Sequence, residues 1–190
     1  MNHPSPPPAP LPIIAPPLAT GAADDAAAPV ALCHRIDLGC ESTHVASHDT
    51  NEPRRPITVF TNGCFDLFHA GHVDLLRQAR ALGDRLVVGI NSDESVQGLK
   101  GPSRPIHPLQ DRCQIVAACR YVDEVHPFHE QTPCHLIRQL HPQIIVKGPG
   151  YSEQTMPEAA VVKEWGGQVV IVDGPPISTT LIIERICKRA

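Results

Sequence analysis

The sequence predicts an α/β fold: a doubly wound, five-stranded parallel sheet with helices on both faces. Three observations predict it. Short apolar runs rich in β-branched residues recur from Pro56 onward, and their length suits strands buried on both faces. Segments with apolar residues at helical spacing lie between those runs. Strand and helix then alternate about five times over about 135 residues, the pattern of a parallel sheet built from crossover units.

The first strand is ITVFT (57–61), bounded by Asn62-Gly63. HVDLLRQARAL (72–82) places Val73, Leu76, Ala79 and Leu82 at helical spacing, with Gly83 just beyond as a stop signal. RLVVGI (85–90) reads as a second buried strand, and Asn91 and Asp93 after it as turn-forming residues. LQDRCQIVAACRY (109–121) is helical in period, with Cys113 and Cys119 on its apolar face. VDEVHPF (122–128) is a strand, and PCHLIRQL (133–140) a helix with Pro133 in its first turn. QIIVKG (143–148) is a strand, EAAVVKEW (158–165) a helix closed by Gly166-Gly167, and QVVIVD (168–173) the fifth strand. Ser178 opens a last helix, TTLIIERICKR. The expected architecture is Rossmann-like, and such sheets bind ligands beyond the carboxyl ends of their strands.

Residues 1–52 differ in kind. This Pro- and Ala-rich stretch shows no helical or strand period, and is expected to be a disordered tail before a domain at 53–190. No run of eighteen apolar residues and no signal peptide is evident, so no membrane segment is expected. The formal charge of −4 gives no global attraction to nucleic acid. The seven cysteines are odd in number and form no C-x-x-C, which argues against a disulfide framework and points to a reducing cytoplasm. Cys40, His44 and His48 have helical spacing, but three such residues in a polar tail fall short of a metal site, and no protein-held metal is expected.

The chemistry gathers after the first strand, in T-N-G-C-F-D-L-F-H-A-G-H (61–72). His69 and His72 stand where a helix begins. A helix N-terminus presents free N–H groups and positive dipole, so it attracts phosphate. Imidazoles there add donors to the same anion, and Gly63 and Gly71 lack a Cβ that would block close approach. Neither a P-loop nor a G-x-G-x-x-G fingerprint is present, which removes the two commonest phosphate motifs. Cys64 is not read as a nucleophile, because no partner base is identifiable.

H-A-G-H (69–72) resembles the H-x-G-H signature of the cytidylyltransferase-like nucleotidyltransferases. The resemblance continues through G-I-N-S-D-E (89–94), L-K-G-P-S-R-P (99–105), Q-D-R (110–112), Y-V-D-E-V (121–125), V-K-G (146–148) and I-S-T-T (177–180). Within that family, R-P-I-H-P-L-Q-D-R and K-E-W-G-G-Q-V-V are most similar to heptose 1-phosphate adenylyltransferase domains. That branch generally shows K-G-G-D-Y where this chain has Lys147-Gly148-Pro149-Gly150-Tyr151, so a carboxylate is absent and a proline added.

The resemblance implies roles. His69, His72 and Lys100 would be catalytic, contacting phosphates. Gly63, Cys64, Phe65, Gly71, Arg112, Lys147, Gly148, Ser178, Thr179 and Thr180 would bind nucleotide. Asp66 would support the loop or bind the acceptor. The reaction implied is transfer of AMP from ATP, with Mg²⁺, to a sugar phosphate such as D-glycero-β-D-manno-heptose 1-phosphate. A glycerol-3-phosphate cytidylyltransferase-like enzyme using CTP shares the same machinery, and a non-catalytic nucleotide-binding regulatory domain is the reading from another class. A separate sugar kinase is expected, and the resemblance leaves room for a homodimer.

Overall fold

The computed structural model describes residues 54–189. The tail, its boundary near residue 52 and the Cys40, His44 and His48 set lie outside the described residues. In chain order the elements are β1 (Thr58–Gly63), α1 (Ala70–Arg80), β2 (Arg85–Asn91), α2 (Asp93–Lys100), α3 (Leu109–Ala117), β3 (Glu124–Phe128), α4 (Cys134–Leu140), β4 (Ile144–Lys147), α5 (Pro157–Lys163), β5 (Gln168–Ile171) and α6 (Thr179–Cys187). A short 3₁₀ turn, Glu153–Thr155, precedes α5. No helix among the described residues is long and apolar enough to cross a membrane.

The five strands form one sheet in the order β3-β2-β1-β4-β5, every pair parallel. Alternate side chains point to opposite faces, and two cores result. Val59, Leu86, Val88, Ile144 and Val146 pack with Leu76 of α1 and Val116 of α3. Phe60, Val87 and Ile145 pack with Ile137 of α4 and Val162 of α5 on the other face. The chain therefore winds one way through β1, β2 and β3, then returns to place β4 against β1. The switch point lies between β1 and β4, where the outward turns of their carboxyl ends leave a crevice. Pro127 falls in β3, an edge strand whose outer side needs no N–H.

Two elements depart from the sequence expectation. Asn91 and Asp93 do not make a simple turn. Ser92 caps a helix, its hydroxyl accepting from the Ser95 N–H at 3.2 Å, and α2 runs on to Lys100. Lys100 is therefore the last residue of a helix. Gly83 is not a left-handed stop for α1, since it is not among the glycines with positive φ. The glycine is needed for space. A Cβ there would lie 2.7 Å from the Ile57 carbonyl oxygen and 2.6 Å from Val59 Cγ2. By contrast Gly166, with φ +80°, does close α5 as expected.

Gly83→Ala should therefore destabilise the domain by about 1–3 kcal/mol through overpacking against backbone, read as a lowered urea midpoint with unchanged slope. A midpoint equal to the parent's would remove this explanation.

Candidate functional site

The site begins with a strained loop. After β1 the chain runs through Cys64–Phe68 to α1, and both Phe65 (φ 50°) and Leu67 (φ 46°) take left-handed backbone. Non-glycine residues there cost about 1–3 kcal/mol each, so the surroundings must hold them. Asp66, between the two, is 1% exposed. Its carboxylate accepts from the Ile106 N–H at 2.9 Å, the His107 N–H at 3.0 Å and Arg104 Nε at 2.9 Å. Burial alone would raise this carboxyl's pKa. The amides of His107 and Ile106 and the Arg104 guanidinium outweigh it and hold the group below the usual carboxylate range. The Asp66 carbonyl accepts from Thr179 Oγ1 at 2.6 Å, tying in the start of α6.

Arg112 completes the brace. Its guanidinium is fully buried. It donates to the Cys64 carbonyl at 2.6 Å and the His107 carbonyl at 3.0 Å, and pairs with Asp93 at 2.7 Å. Arg112 thus braces the loop from inside the protein and is not among the residues that line the cavity described below. Asp66 likewise braces the loop, and it also lines that cavity.

The paired histidines are brought together. The His69 and His72 rings stack with centroids 3.8 Å apart and planes 19° apart. Phe65 and Phe68 flank His72, at 5.1 and 5.5 Å between centroids. The His69 backbone N–H donates to His72 Nδ1 at 3.3 Å, so the proton of neutral His72 resides on Nε2. Burial pushes the His72 pKa down to about 3, helped by the neighbouring His69 and opposed by Asp66. Burial lowers His69 as well. Both rings are therefore neutral at pH 7 and act as N–H donors. His69 Nδ1 is buried without a hydrogen-bond partner among the described residues. Gly71 has a local reason to be glycine: a Cβ would lie 2.8 Å from Ile177 Cγ2 and 3.1 Å from the His69 ring.

These rings line a cavity of about 430 Å³ at the switch point, a size that suits a nucleotide-scale ligand. Gly63, Cys64, Phe65, Asp66 and Gly71 line it from the β1–α1 side, Lys100 from the end of α2, and Lys147 and Gly148 from the end of β4. Ser178, Thr179 and Thr180 bring the first turn of α6 to the same space. Neither α1 nor α6 has an acidic residue in its first turn, so their positive ends face the cavity unopposed. Ser178 also accepts from the Leu181 N–H at 3.3 Å, an N-cap. Gly148 has nothing within 4 Å of where a Cβ would stand. Burial raises the Cys64 thiol despite nearby Lys100, Arg112 and Arg104, so it stays protonated and is no nucleophile.

Four groups in or beside the cavity escaped sequence reasoning: Arg104, Asn62 and Tyr151 line it, and Glu158 bonds to its Lys147. Arg104 closes over Asp66 with a side chain only 13% exposed. Asn62 accepts from Lys147 Nζ at 2.7 Å, and Glu158 from the same amine at 3.0 Å. Tyr151 lies with its ring 5.1 Å from Lys147 Nζ. The signals were thin: Arg104 and Tyr151 sit in Pro/Gly-rich loops, and Glu158 looked like an ordinary first-turn acid of α5.

Comparison with known proteins agrees with the geometry. A family model described as cytidylyltransferase-like matches residues 60–185. A Bordetella bronchiseptica protein named D-beta-D-heptose 1-phosphate adenylyltransferase is 53% identical over 134 residues, covering 70% of this chain and 82% of its own. The bifunctional protein HldE of Methylobacillus flagellatus is 52% identical over 129 residues, which are 67% of this chain and 26% of that protein. The chain thus matches only about a quarter of the length of such bifunctional relatives. A solved lipopolysaccharide core biosynthesis protein from Thermoplasma volcanium superposes with a TM-score of 0.52 at 26% identity, covering 65% of this chain and all of that one.

The neutral state of His72 makes a pH prediction. Its folded pKa of about 3 lies below the ordinary 6.5. The unfolded chain therefore takes up a proton below 6.5 that the folded chain refuses until near 3, and stability falls with pH across that window. His72→Asn removes this contribution. Its stability relative to wild type should improve steadily as melting is followed from pH 7 down to pH 4; parallel melting curves for the two proteins would contradict the buried neutral state.

Proposed function

Because the chain belongs to the cytidylyltransferase-like nucleotidyltransferases, we propose that it transfers AMP from ATP to a sugar 1-phosphate, first of all heptose 1-phosphate, and releases pyrophosphate. The observation that carries this reading is the stack of His69 on His72 beside two unopposed helix N-termini in one cavity. The name of the Bordetella relative supports ATP and the heptose as the substrate pair.

An oxygen of the acceptor phosphate attacks the α-phosphorus in line. A new P–O bond forms as the bond to the β-phosphate's bridging oxygen breaks, and its electrons leave with pyrophosphate. The nucleophile is already an anion, so no general base is required. The protein must bring two anions together and stabilise the charge that builds on the α-phosphate oxygens. His72 offers its Nε2–H to those oxygens, and His69 and the first turns of α1 and α6 hold the rest of the triphosphate. Lys100 makes no hydrogen bond or ion pair among the described residues and brings a positive charge to the cavity. Lys147, anchored by Asn62 and Glu158, has its third N–H to give. Proton uptake by the imidazoles on binding polyphosphate would further strengthen these contacts.

Magnesium carried by the triphosphate fits this lining. No group of three His, Cys, Asp or Glu residues among the described residues forms a metal cage, Asp66 is fully engaged, and Asp173 is the remaining carboxylate of the cavity. When bound, the ion supplies charge neutralisation on the phosphates. The five described cysteines are all free thiols, which supports a reducing, cytoplasmic setting. Exposed Ile171, Leu181 and Ile186 on β5 and α6 support a homodimer. The supply of the sugar phosphate would involve a sugar kinase.

A pyrophosphate-release panel crossing ATP and CTP with heptose 1-phosphate and glycerol 3-phosphate tests the proposal. ATP with the heptose should give the fastest release, and His72→Ala should lower that rate about a hundredfold or more, the worth of one donor to developing charge. Faster release with CTP and glycerol 3-phosphate would move the chain to the cytidylyltransferase reading. Nucleotide binding without release from any pair would make it a regulatory domain.

A further inference from the structure

Between β5 and α6 the chain forms one wall of the cavity as a strap, residues 173–178. Asp173, Gly174, Pro175 and Ile177 line the cavity, and the strap leads into Ser178, the N-cap of α6. Its own backbone does little to place it. Pro175 and Pro176 have no N–H to donate. The Val172 N–H donates to the Lys147 carbonyl at 2.9 Å, at the edge of the sheet. From Asp173 to Ile177 one backbone–backbone hydrogen bond follows among the described residues, Ile177 N–H to the Pro175 carbonyl at 2.7 Å. Groups outside the strap must therefore set its path.

One face of α1 supplies them. Gly71, Leu75 and Gln78 follow the helical spacing that puts residues on one side of a helix. Gly71 makes room for Ile177, since a Cβ there would stand 2.8 Å from Ile177 Cγ2. Leu75 lines the cavity between them. Gln78, half-buried, donates from Nε2 to the Asp173 carbonyl at 2.7 Å. Its second Nε2 hydrogen goes to Asp74 Oδ2 at 3.0 Å, one turn earlier on α1, and Arg77 donates to the other oxygen of Asp74 at 2.7 Å. Two acceptors thus fix which end of the carboxamide faces the strap. At the other end of the strap Thr179 Oγ1 donates to the Asp66 carbonyl at 2.6 Å. Gln78 and Thr179 are the side-chain struts of the segment. Gln78 is not among the residues that line the cavity, so it acts on a ligand only through the strap.

We propose that Gln78 is a positioning residue for nucleotide binding. By fixing the strap at Asp173 it sets the first turn of α6 against the imidazoles at the start of α1, so that both helix N-termini aim at one polyphosphate. The inference rests on this cavity holding the nucleoside triphosphate. The strut stands on α1, the helix that carries His72, so strap and imidazoles are held to one rigid element. Position 78 needs a hydrogen-bond donor. An apolar side chain of similar size leaves the Asp173 carbonyl unheld. A carboxylate repels both that carbonyl and Asp74. An ammonium satisfies both acceptors.

The full chain is titrated calorimetrically with magnesium and a non-hydrolysable ATP analogue, and pyrophosphate release from ATP and heptose 1-phosphate is followed in parallel. Gln78→Leu should weaken the analogue and raise the KM for ATP about tenfold, the loss of one hydrogen bond, and leave the acceptor KM within about twofold. Gln78→Glu, isosteric with the parent, should lose at least as much. Gln78→Lys should stay within about twofold of wild type in both measurements. Unchanged melting temperatures verify the fold of each variant. Wild-type analogue affinity in Gln78→Leu and Gln78→Glu, or a loss in Gln78→Lys equal to that in Gln78→Leu, overturns the assignment. Pyrophosphate release by the wild type with an unshifted KM for ATP in Gln78→Leu would remove the strut and leave the transferase reading in place. A wild type that binds the analogue but releases no pyrophosphate, with binding weakened in Gln78→Leu and kept in Gln78→Lys, would do the reverse.

Discussion

One buried carboxylate organises the site. Asp66 gathers the 104–107 segment through two backbone amides and Arg104, and its own carbonyl ties down Thr179 at the start of α6. A carboxylate at 1% exposure is costly without full hydrogen bonding. The loops around it must therefore close in one arrangement, and that arrangement sets the walls of the cavity. Arg112 acts on the same loop from the other side, through the Cys64 carbonyl and Asp93. Together they hold Phe65 and Leu67 in left-handed backbone, which aims His69 and His72 into a single stack. Removing either ion would release strain before it touched any ligand.

The consequence for chemistry is a site built from oriented dipoles more than from charge. Two neutral imidazoles and two helix N-termini line the cavity together with Lys100, Arg104 and Lys147, of which Arg104 and Lys147 are already paired with protein carboxylates. Fixed donors of this kind need little reorganisation as charge moves onto the α-phosphate oxygens. A neutral resting state also avoids self-repulsion between two rings whose centroids are 3.8 Å apart.

Much of this was legible in the sequence, and the failures have physical causes. The strands and most helices follow from hydrophobic period, because nearly every strand residue of β2 and β4 is buried on both faces. The His-x-Gly-His spacing located the cavity, and most residues named from it do line it. Helix α2 was missed because Gly98 weakens its helical signature, although Ser92 followed by Asp93 and Glu94 is a helix start. The burial of Arg112 was not foreseen because an arginine beside phosphate-binding segments looks like a ligand. Its position among Leu109, Cys113 and Val116 placed it on the inward face of α3, but its partner Asp93 lies 19 residues away. The Lys147, Glu158 and Asn62 group joins three segments far apart in sequence, and no local pattern announces such a contact.

The most direct measurement follows the histidine ring nitrogens by ¹⁵N NMR during titration with magnesium and ATP. Without nucleotide, His72 should appear as the neutral Nε2–H tautomer at pH 7. Saturating ATP should shift the Nε2 resonances of His69 and His72 together and raise the pKa of His72 from about 3. Ring signals that stay in place at saturation would contradict a polyphosphate cradle built on the two imidazoles.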